Sequence, residues 1–324
     1  KDIILEAIEN SLLAACKNQF GKSENIRVNI DRETGEVKVF ADYEVVEDDM
    51  IEDDALQIGI TEAKLRFRDD VEVGEKVSTE VTPKNFGRIA AQKAKQVVVQ
   101  KIREEERKVL YVQYLEKERE VITGIVQRYS GKNVCINLGR VDAILMESEQ
   151  VRGEHFRPTE HIKLYVVEVK DTPKGPRITV SRSHPEFVKR LFEEEVTEIQ
   201  DGIVTIESIA REAGSRTKIA VSTVDPNVDA VGACVGMNGS RVNAIVNELR
   251  GEKIDIVNWS DMPEIFIENA LSPAVVMDVS IDEYEKTARV IVPENQLSLA
   301  IGKEGQNARL AAKLTGYKID IKCE

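Results

Sequence analysis

The chain has 324 residues, an ordinary hydrophobic content of 42% and a formal net charge of −13, so we expect several soluble domains. No apolar run approaches the roughly eighteen residues of a membrane span, and the acidic excess excludes a nonspecific nucleic-acid coat and argues against a strongly basic ribosomal protein. Its four scattered cysteines have no paired spacing, which predicts a reduced, cytoplasmic protein without a disulfide framework, zinc site or other metal.

Residues 1–116 are predicted to form an N-terminal α/β head that ends in a long helix. A helix is expected over residues 2–20, and alternating apolar residues predict strands over 26–30 and 36–46. The apolar face of the first helix consists of Ile4, Ile8, Leu12 and Ala15. The acidic run 47–54 is interpreted as a solvated loop or as a surface for a basic protein partner, and the pattern does not separate the two.

A long helical pattern extends from Asn85 to about Lys117. Its apolar positions are Val98, Ile102, Val109 and Val112. A helix of this length spans about 45–50 Å at a rise of 1.5 Å per residue. We therefore expect it to hold the N-terminal head away from the domains that follow.

Residues 117–183 differ from the rest of the chain in charge and in pattern. They carry 12 basic and 9 acidic side chains, a net charge of +3, whereas the segments on either side are acidic. Five short β-like runs separated by Gly, Pro and Asn predict a small barrel of the OB type, with any other five-stranded β domain as the alternative.

Four side chains of this segment are candidates for RNA contact. They are Arg128, Tyr129, Lys132 and Arg140. An aromatic ring such as that of Tyr129 can stack on a base, and the three cations can pair with phosphates. The alternative is that Tyr129 covers the barrel core and that the cations only keep the surface soluble.

Residues 184–264 and 265–324 repeat one pattern. Each has two strand-like runs, a short helix, a Gly-x-x-Gly, a second helix, a helix-ending glycine and a closing strand that contains KIDI. The first loop is Gly236–Gly239 and the second loop is Gly302–Gly305. One Gly-x-x-Gly indicates only a turn with positive φ, but two copies with the same flanking elements predict two tandem type II KH domains.

The Gly-x-x-Gly loops point to a polyanion. Glycines let the backbone approach a phosphate, and the helix that follows begins with unpaired N–H groups and a partial positive charge. An apolar groove beside the KIDI strand can take bases splayed from a single strand. The sequence therefore predicts single-stranded RNA as the ligand.

Three stretches resemble the NusA family of bacterial transcription elongation factors. Residues 174–196 resemble the end of the family's S1 domain, an OB-fold barrel, and its exit into the KH region. Residues 225–259 resemble its first KH domain and residues 292–321 its second. The clear match runs from about Tyr129 to Glu324, and the acidic head agrees with the family in layout.

The resemblance implies a multidomain α+β protein that catalyses nothing and needs no cofactor. It implies a cytoplasmic monomer without membrane contact that binds RNA polymerase through its N-terminal domain and nascent RNA through the barrel and KH domains. Such factors modulate pausing, termination and antitermination, and other antitermination factors are implied as partners.

The loops and the residues that follow them are the expected RNA-binding residues. They are Gly236, Met237, Asn238, Gly239, Ser240 and Arg241 in the first KH domain, and Gly302, Lys303, Glu304, Gly305, Gln306 and Asn307 in the second. The family's first loop commonly carries a basic residue where this chain has Asn238, and Arg241 is expected to compensate. Lys303 can reach a phosphate, although Glu304 partly offsets its charge. We therefore expect the second KH domain and the barrel to hold RNA more strongly than the first KH domain.

Catalytic motifs are not expected. Gly21-Lys22-Ser23 resembles the end of a P-loop motif. That motif also needs a glycine five residues earlier, and this chain has Cys16 there. The three histidines have no catalytic or metal-binding spacing. The alternative functions are an RNA-binding scaffold or an exosome-type cap subunit without polymerase contact, although such caps do not carry two KH units. A polynucleotide phosphorylase needs two large catalytic domains that this length excludes.

Overall fold

The computed structural model describes residues 2–20, 25–83 and 86–323. The turn Gly21–Ser23, considered above as a P-loop tail, lies outside the described residues. The chain forms two compact units, residues 1–108 and 109–324.

The first unit contains the predicted helix and strand pair and three further elements. The helix is α1 (Asp2–Phe20), and the strands are β1 (Ile26–Ile30) and β2 (Val37–Val46), which pair antiparallel. The elements that the sequence did not indicate are β3 (Gln57–Gly59), α2 (Ile60–Arg66) and β4 (Lys76–Glu80). Strand β2 pairs with β3 in parallel and with β4 antiparallel, which completes a four-stranded sheet.

The core of this unit lies between α1, the β1–β2 pair and the start of a long helix. Ile8, Leu12 and Cys16 of α1 are buried at a spacing of four residues, whereas Ile4 of the predicted apolar face is 37% exposed. The acidic run remains largely exposed, and within it the Asp48 carboxylate accepts a hydrogen bond from the Thr61 amide in the first turn of α2 (3.1 Å).

The long helix is confirmed as α3 (Phe86–Leu115), 30 residues in length. Phe86 and Ala90 are buried in the core of the first unit, and Tyr114 is buried in the core of the barrel that follows. The apolar stripe that predicted the helix is mostly open to solvent, because Ile102 and Val112 are 52% and 54% exposed. A helix that contributes its ends to separate cores has no core beside its middle turns.

The predicted five-stranded barrel is confirmed. Its strands are β5 (Val121–Ser130), β6 (Asn133–Asn137), β7 (Asp142–Leu145), β8 (His161–Lys170) and β9 (Arg177–Ser181). They close in the order β5-β6-β7-β9-β8, and closure identifies an OB-like barrel rather than an open sheet. Alternating side chains such as Val134, Ile136 and Leu164 fill the interior.

Two domains with the αββααβ order of a type II KH domain follow, as predicted. The first contains α4 (Pro185–Glu195), a short α5 (Thr197–Gln200), β10 (Val204–Glu212), β11 (Arg216–Thr223), α6 (Ala230–Val235), α7 (Ser240–Glu248) and β12 (Lys253–Asn258). The second contains α8 (Pro263–Ala270), β13 (Asp278–Asp282), β14 (Thr287–Val292), α9 (Leu297–Ile301), α10 (Gln306–Thr315) and β15 (Lys318–Cys323).

Both KH sheets have the same strand arrangement. The first two strands pair antiparallel, and the KIDI strand, β12 or β15, pairs in parallel with the middle strand and forms one edge of the sheet. The sequence did not indicate α8, which takes the place of α4 in the second domain. The expected domain boundary between residues 264 and 265 falls inside α8.

The two KH domains share a hydrophobic core. Ile219 and Val221 of β11 pack against the helices of their own domain, whereas Ala220 of the same strand joins the core of the second KH domain with Ile267 and Leu310. The second sheet is covered on one face only. On the other face Arg289, Asp320 and Lys322 are exposed, and Thr287 and Ile291 are half-buried. Helices α8 and α10 therefore cover the outer face of the first sheet, and no described element covers the equivalent face of the second.

A buried arginine joins the barrel to the first KH domain. Arg182, directly after β9, is 1% exposed. Its guanidinium donates to the Glu154 carboxylate (2.6 and 2.7 Å), to the Glu248 carboxylate (3.1 Å) and to the backbone carbonyls of Lys163 and Glu248 (both 2.8 Å). Since a buried charge needs partners on all sides, this network holds α7 against the barrel.

Candidate nucleic-acid interface

The two Gly-x-x-Gly loops have the same backbone conformation. The opening glycines Gly236 and Gly302 have φ/ψ of 74°/173° and 77°/172°. The third positions, Asn238 and Glu304, are left-handed with φ of 52° and 56°. The closing glycines have φ of 74° and 75°. The repeated sequence motif is therefore a repeated geometry.

Glycine is required at the opening position for two reasons. A positive φ is unfavourable for residues with a Cβ atom, and the loop turns back closely on the helix that follows. A Cβ atom on Gly302 would lie 2.8 Å from the backbone nitrogen of Asn307, and one on Gly236 would lie 2.8 Å from Cγ of Arg241. The close approach brings the loop backbone to the start of the second helix.

The helices after the loops begin without a side-chain cap. No side chain accepts from the first N–H groups of α7, which starts at Ser240, or of α10, which starts at Gln306. The amides of Ser240 and Gln306 themselves donate to the carbonyls of Met237 and Lys303 in the loops. Each KH domain therefore places the positive end of a helix dipole directly beside its loop, which is favourable for a negatively charged ligand.

The loops differ in charge. Aligned on their glycines, Met237 corresponds to Lys303 and Asn238 corresponds to Glu304. All four side chains are exposed, and Met237 is 86% exposed. The first loop therefore offers no formal charge to RNA, and the second offers a cation beside an anion.

The second residue after each loop is used inside the protein. The Arg241 guanidinium donates to the backbone carbonyl of Ala233 (2.6 Å) and to the Glu198 carboxylate (2.7 Å). The amide of Asn307, which is 2% exposed, donates to the carbonyls of Leu271 (3.0 Å) and Ala300 (3.1 Å). Both side chains therefore tie the second helix of the domain to the helix that precedes the loop.

The first residues after the loops also differ. Ser240 is exposed, whereas the Gln306 amide donates to the Glu212 carboxylate (2.9 Å) and to the Ser215 hydroxyl (2.7 Å) of the first KH domain. These partners are more than 90 residues away in the sequence, so local spacing gave no signal of them. Glu198, Glu212 and Arg182 were missed for the same reason.

A groove lies between the two KH domains, along the open edge of β12. It has a volume of about 540 Å³, and its wall includes Val231 of α6, Ile256 and Val257 of β12, and the segment that follows α8. Asp229 and Glu268 also line it. Asn258, Asn269 and Ser272 add further polar groups, so the lining is more polar than apolar. Polar groups next to an unpaired strand edge can bond to the edge of an unstacked base, whereas the two carboxylates disfavour a phosphate.

The barrel candidates do not all lie together. Arg128 and Tyr129 near the end of β5 and Lys132 in the β5–β6 turn share one end of that hairpin, whereas Arg140 lies in the β6–β7 connection at the opposite end of β6. Tyr129 is 45% exposed, and its hydroxyl accepts a hydrogen bond from the Phe156 amide (3.0 Å). The ring is therefore held in place with part of its surface open to a base.

Lys132 already has a protein partner. Its ammonium lies 2.9 Å from the Glu147 carboxylate, and this hydrogen bond raises the pKa of Lys132. Both side chains are well exposed, so water and salt screen the pair. A phosphate would compete with Glu147 for this cation.

Among residues 2–20, 25–83 and 86–323, the histidines, cysteines and carboxylates form no group arranged to hold a metal ion. Of the helices in the same ranges, none combines the length and apolar character needed to cross a membrane. His184, one of the three histidines, caps α4 by accepting a hydrogen bond from the Glu186 amide (3.1 Å).

Three family models match this chain. The NusA N-terminal domain matches residues 1–108, the NusA-like first KH domain matches residues 182–259, and the NusA-like second KH domain matches residues 263–324. The matches agree with the position of the first compact unit and of the two KH sheets.

Curated relatives extend the similarity over the whole chain. Each is named "Transcription termination/antitermination protein NusA". The protein of Bacillus subtilis is 56% identical over all of this chain and 86% of its own length, and that of Halalkalibacterium halodurans is 54% identical over all of this chain and 84% of its own. The Thermus thermophilus protein is 43% identical over 92% of this chain and 77% of its own length. The chain therefore belongs to the NusA family.

Proposed function

We propose that this protein is a transcription termination and antitermination factor that binds RNA polymerase and the emerging transcript. The observation that carries the RNA part is the pair of Gly-x-x-Gly loops with one backbone conformation, each leading into an uncapped helix N-terminus. The transcription part is supported by the names of the relatives and by the match of residues 1–108 to the NusA N-terminal domain.

RNA would be held at several weak sites in series. A phosphate binds at the start of α7 and another at the start of α10, and a base enters the groove beside β12. The shared KH core and the Arg182 network fix these sites relative to one another, so binding at one raises the effective concentration of RNA at the next. The net charge of −13 lowers the affinity for stray nucleic acid.

The same proposal assigns the parts of the chain. Residues 1–116 bind the polymerase, 117–183 form the S1-type barrel, and the KH domains cover 184–262 and 263–324. The last boundary is moved by two residues from the sequence-based expectation so that α8 stays whole. The protein acts as a cytoplasmic monomer, carries out no catalysis itself and needs no cofactor, and other antitermination factors bind the same assembly.

The two KH domains would contribute unequally. The first loop has no charge, and Arg241 is engaged by Glu198 and Ala233 rather than turned to an RNA ligand. Lys303 of the second loop is exposed. We therefore propose that the second KH domain and the barrel hold RNA more tightly than the first KH domain, with Arg128, Tyr129 and Lys132 as one barrel site and Arg140 apart from it.

The alternative without polymerase contact, an RNA scaffold or an exosome-type cap, is not favoured. The N-terminal 108 residues match a NusA domain, and the similarity to the Bacillus subtilis protein is continuous over the full chain.

Single-round transcription by bacterial RNA polymerase at a hairpin pause tests the proposal. The full chain is compared with residues 109–324, which form the second compact unit, after circular dichroism has shown that this fragment is folded. We expect the full chain to lengthen the pause and the fragment to have little effect. A competent polymerase whose pausing is unchanged by the full chain would contradict the proposed function.

A further inference from the structure

A carboxylate of the first KH domain lies next to the second loop. Glu212, at the end of β10, accepts from Nε and Nη2 of Arg309 (2.5 and 3.2 Å) and from the side-chain amide of Gln306 (2.9 Å). The hydrogen bond from Arg309 is the main reason that the pKa of Glu212 is lowered to about 2. Glu212 is therefore ionised at neutral pH and held by two side chains of α10.

Arg309 also contacts the second loop itself. Its Nη1 donates to the backbone carbonyl of Glu304 (3.0 Å), the left-handed third residue of the loop. One planar guanidinium thus connects the β10–β11 hairpin of the first KH domain to the loop backbone of the second. Gln306, the first residue of α10, makes a parallel connection through the Ser215 hydroxyl (2.7 Å).

The first loop has no such connection. Its equivalents of Gln306 and Arg309 are Ser240 and Asn243, which are exposed, and in the described part of the chain neither side chain bonds to the second KH domain. The equivalent of Glu212 is Asp282, whose carboxylate accepts from the amides of Tyr284 and Glu285 in its own turn (2.9 and 3.1 Å). The network around Glu212 is therefore specific to the second loop.

We propose that Glu212 is a positioning residue for RNA binding by the second KH domain. It orients Arg309, Arg309 holds the Glu304 carbonyl, and the second loop is therefore kept in one conformation before RNA arrives. This inference rests on the proposed RNA-binding function and adds that the RNA site of one KH domain is built partly by the other.

A competing role for the same contacts predicts the opposite sign. If Arg309 were itself a phosphate ligand that Glu212 occupies, neutralising Glu212 would release the guanidinium and strengthen RNA binding. If Glu212 positions the loop, neutralising it weakens RNA binding, even though the net charge becomes less negative.

The test measures the dissociation constant of the full chain for a labelled single-stranded RNA of fifteen nucleotides, by fluorescence anisotropy at fixed salt. We expect Glu212→Gln to weaken binding about fivefold, within the range for residues that couple two sites. The matched control is Glu207→Gln, which makes the same charge change on the same strand, where Glu207 is exposed and accepts a hydrogen bond from the Ser222 hydroxyl (2.5 Å). The control should stay within about twofold of the parent.

Combining Glu212→Gln with a substitution in the second loop shows whether Glu212 affects RNA binding through that loop. Lys303→Asp places a negative charge at that loop and should weaken binding by itself. In the Lys303→Asp background, Glu212→Gln should cause no further loss. An additional loss of the same size in the Lys303→Asp background would overturn the positioning role. In the parent chain, an unchanged or a higher RNA affinity of Glu212→Gln would also overturn it.

Arg309→Lys supplies an independent variant if Glu212→Gln does not fold, as judged by its unfolding transition. Lysine keeps the charge but cannot bridge Glu212 and the Glu304 carbonyl as a guanidinium does, so weaker RNA binding is expected and unchanged binding would contradict the inference. If the parent chain binds no RNA, the proposed function fails and the inference with it. If Lys303→Asp weakens binding and Glu212→Gln does not, only the inference fails.

Discussion

The first and second loops share one backbone conformation but differ in the chemistry of their side chains. Both use glycines at the same places and a left-handed third residue, yet the first is Met-Asn and the second is Lys-Glu. Behind the first loop an arginine is engaged by Glu198, and behind the second a buried asparagine bonds to backbone carbonyls. Both loops therefore share their glycines and a side-chain donor two residues after the loop, and they differ in the charges that they expose to solvent.

Breaking the buried donor of the second KH domain should have the largest effect. Asn307→Asp replaces an amide donor with a carboxylate that faces the carbonyl oxygens of Leu271 and Ala300. We expect the free energy of unfolding to fall by about 3–5 kcal/mol, the usual cost of an uncompensated buried charge. Urea denaturation measures it.

Asn243→Asp makes the same chemical change at an exposed position of α7 and should change the free energy of unfolding by less than about 0.5 kcal/mol. Equal losses of unfolding free energy for the two variants would show that the side-chain amide of Asn307 does not stabilise the second loop.

The opening glycines give the next largest difference. Gly302→Ala and Gly236→Ala each force an alanine into a positive-φ, extended-ψ conformation that is almost restricted to glycine, at a cost of about 1–3 kcal/mol. The new Cβ meets the backbone nitrogen of Asn307 in the second loop but only the side chains of Ser240 and Arg241 in the first. Thermal and urea unfolding should therefore show a larger loss for Gly302→Ala.

Gly305→Ala is a milder reference, because Gly305 is in the left-handed helical region (φ 75°, ψ 14°) and its Cβ would have no neighbour closer than 3.8 Å. It should lose less stability than either opening-glycine variant. If Gly236→Ala lost as much stability as Gly302→Ala, or more, the backbone contact predicted for the Cβ at position 302 would be contradicted.

Exchanging the residues at the second position of the two loops tests how their charges affect RNA binding. Met237→Lys gives the first loop the cation of the second, and we expect RNA affinity to rise about threefold and the slope of log affinity against log salt to steepen by about one. Lys303→Met should do the reverse. Fluorescence anisotropy at several salt concentrations measures both.

Met237→Gln keeps the length of the side chain without charge and should leave the salt slope unchanged. If Met237→Lys altered neither the affinity nor the slope, the first loop would not face the RNA backbone.

The smallest expected effect is the dependence of the free energy of unfolding on acidic pH. The folded pKa of Glu212 is about 2, against an ordinary value of 4.5, so between these values the unfolded chain binds more protons at this site than the folded chain. The stabilisation from Glu212 is complete above about pH 4.5 and is lost as the pH falls toward 2. The difference in unfolding free energy between the parent and Glu212→Gln should therefore shrink over that window.

Glu207→Gln, which changes the same charge on the same strand, serves as the control variant. A constant difference between the parent and Glu212→Gln from pH 6 to pH 2.5 would contradict the depressed pKa.

Local pattern was enough to predict most of the fold. The five barrel strands, the long helix and the KH repeat follow from periodicity and glycine placement, and closure of the barrel settled its type. Helix α8 was not predicted, although Pro263 at its first position and the buried Phe266 and Ile267 are ordinary helix signals. The apolar stripe of α3 predicted a helix correctly but gave no information on burial, because periodicity does not show what lies opposite.

The candidate site was predicted as a set of positions but not as a set of roles. Gly302 and Gly305 act through their own backbone, which the motif itself specifies. Gln306, Asn307 and Arg241 look like RNA ligands in sequence because they follow a loop, but their partners lie on other elements. Polar side chains choose partners in space, so their roles depended on the tertiary structure.

The unlike outer faces of the two KH sheets also set a limit on assembly. The first face offers Ala220 and Val257 to the helices of the second KH domain, and the positions that correspond in the second sheet are Ile291 and the charged Lys322. If Lys322 were apolar like Ile291, α8 and α10 of another molecule could dock there, and each docking would present a fresh sheet to the next copy. The exposed charges of Arg289, Asp320 and Lys322 disfavour that head-to-tail growth.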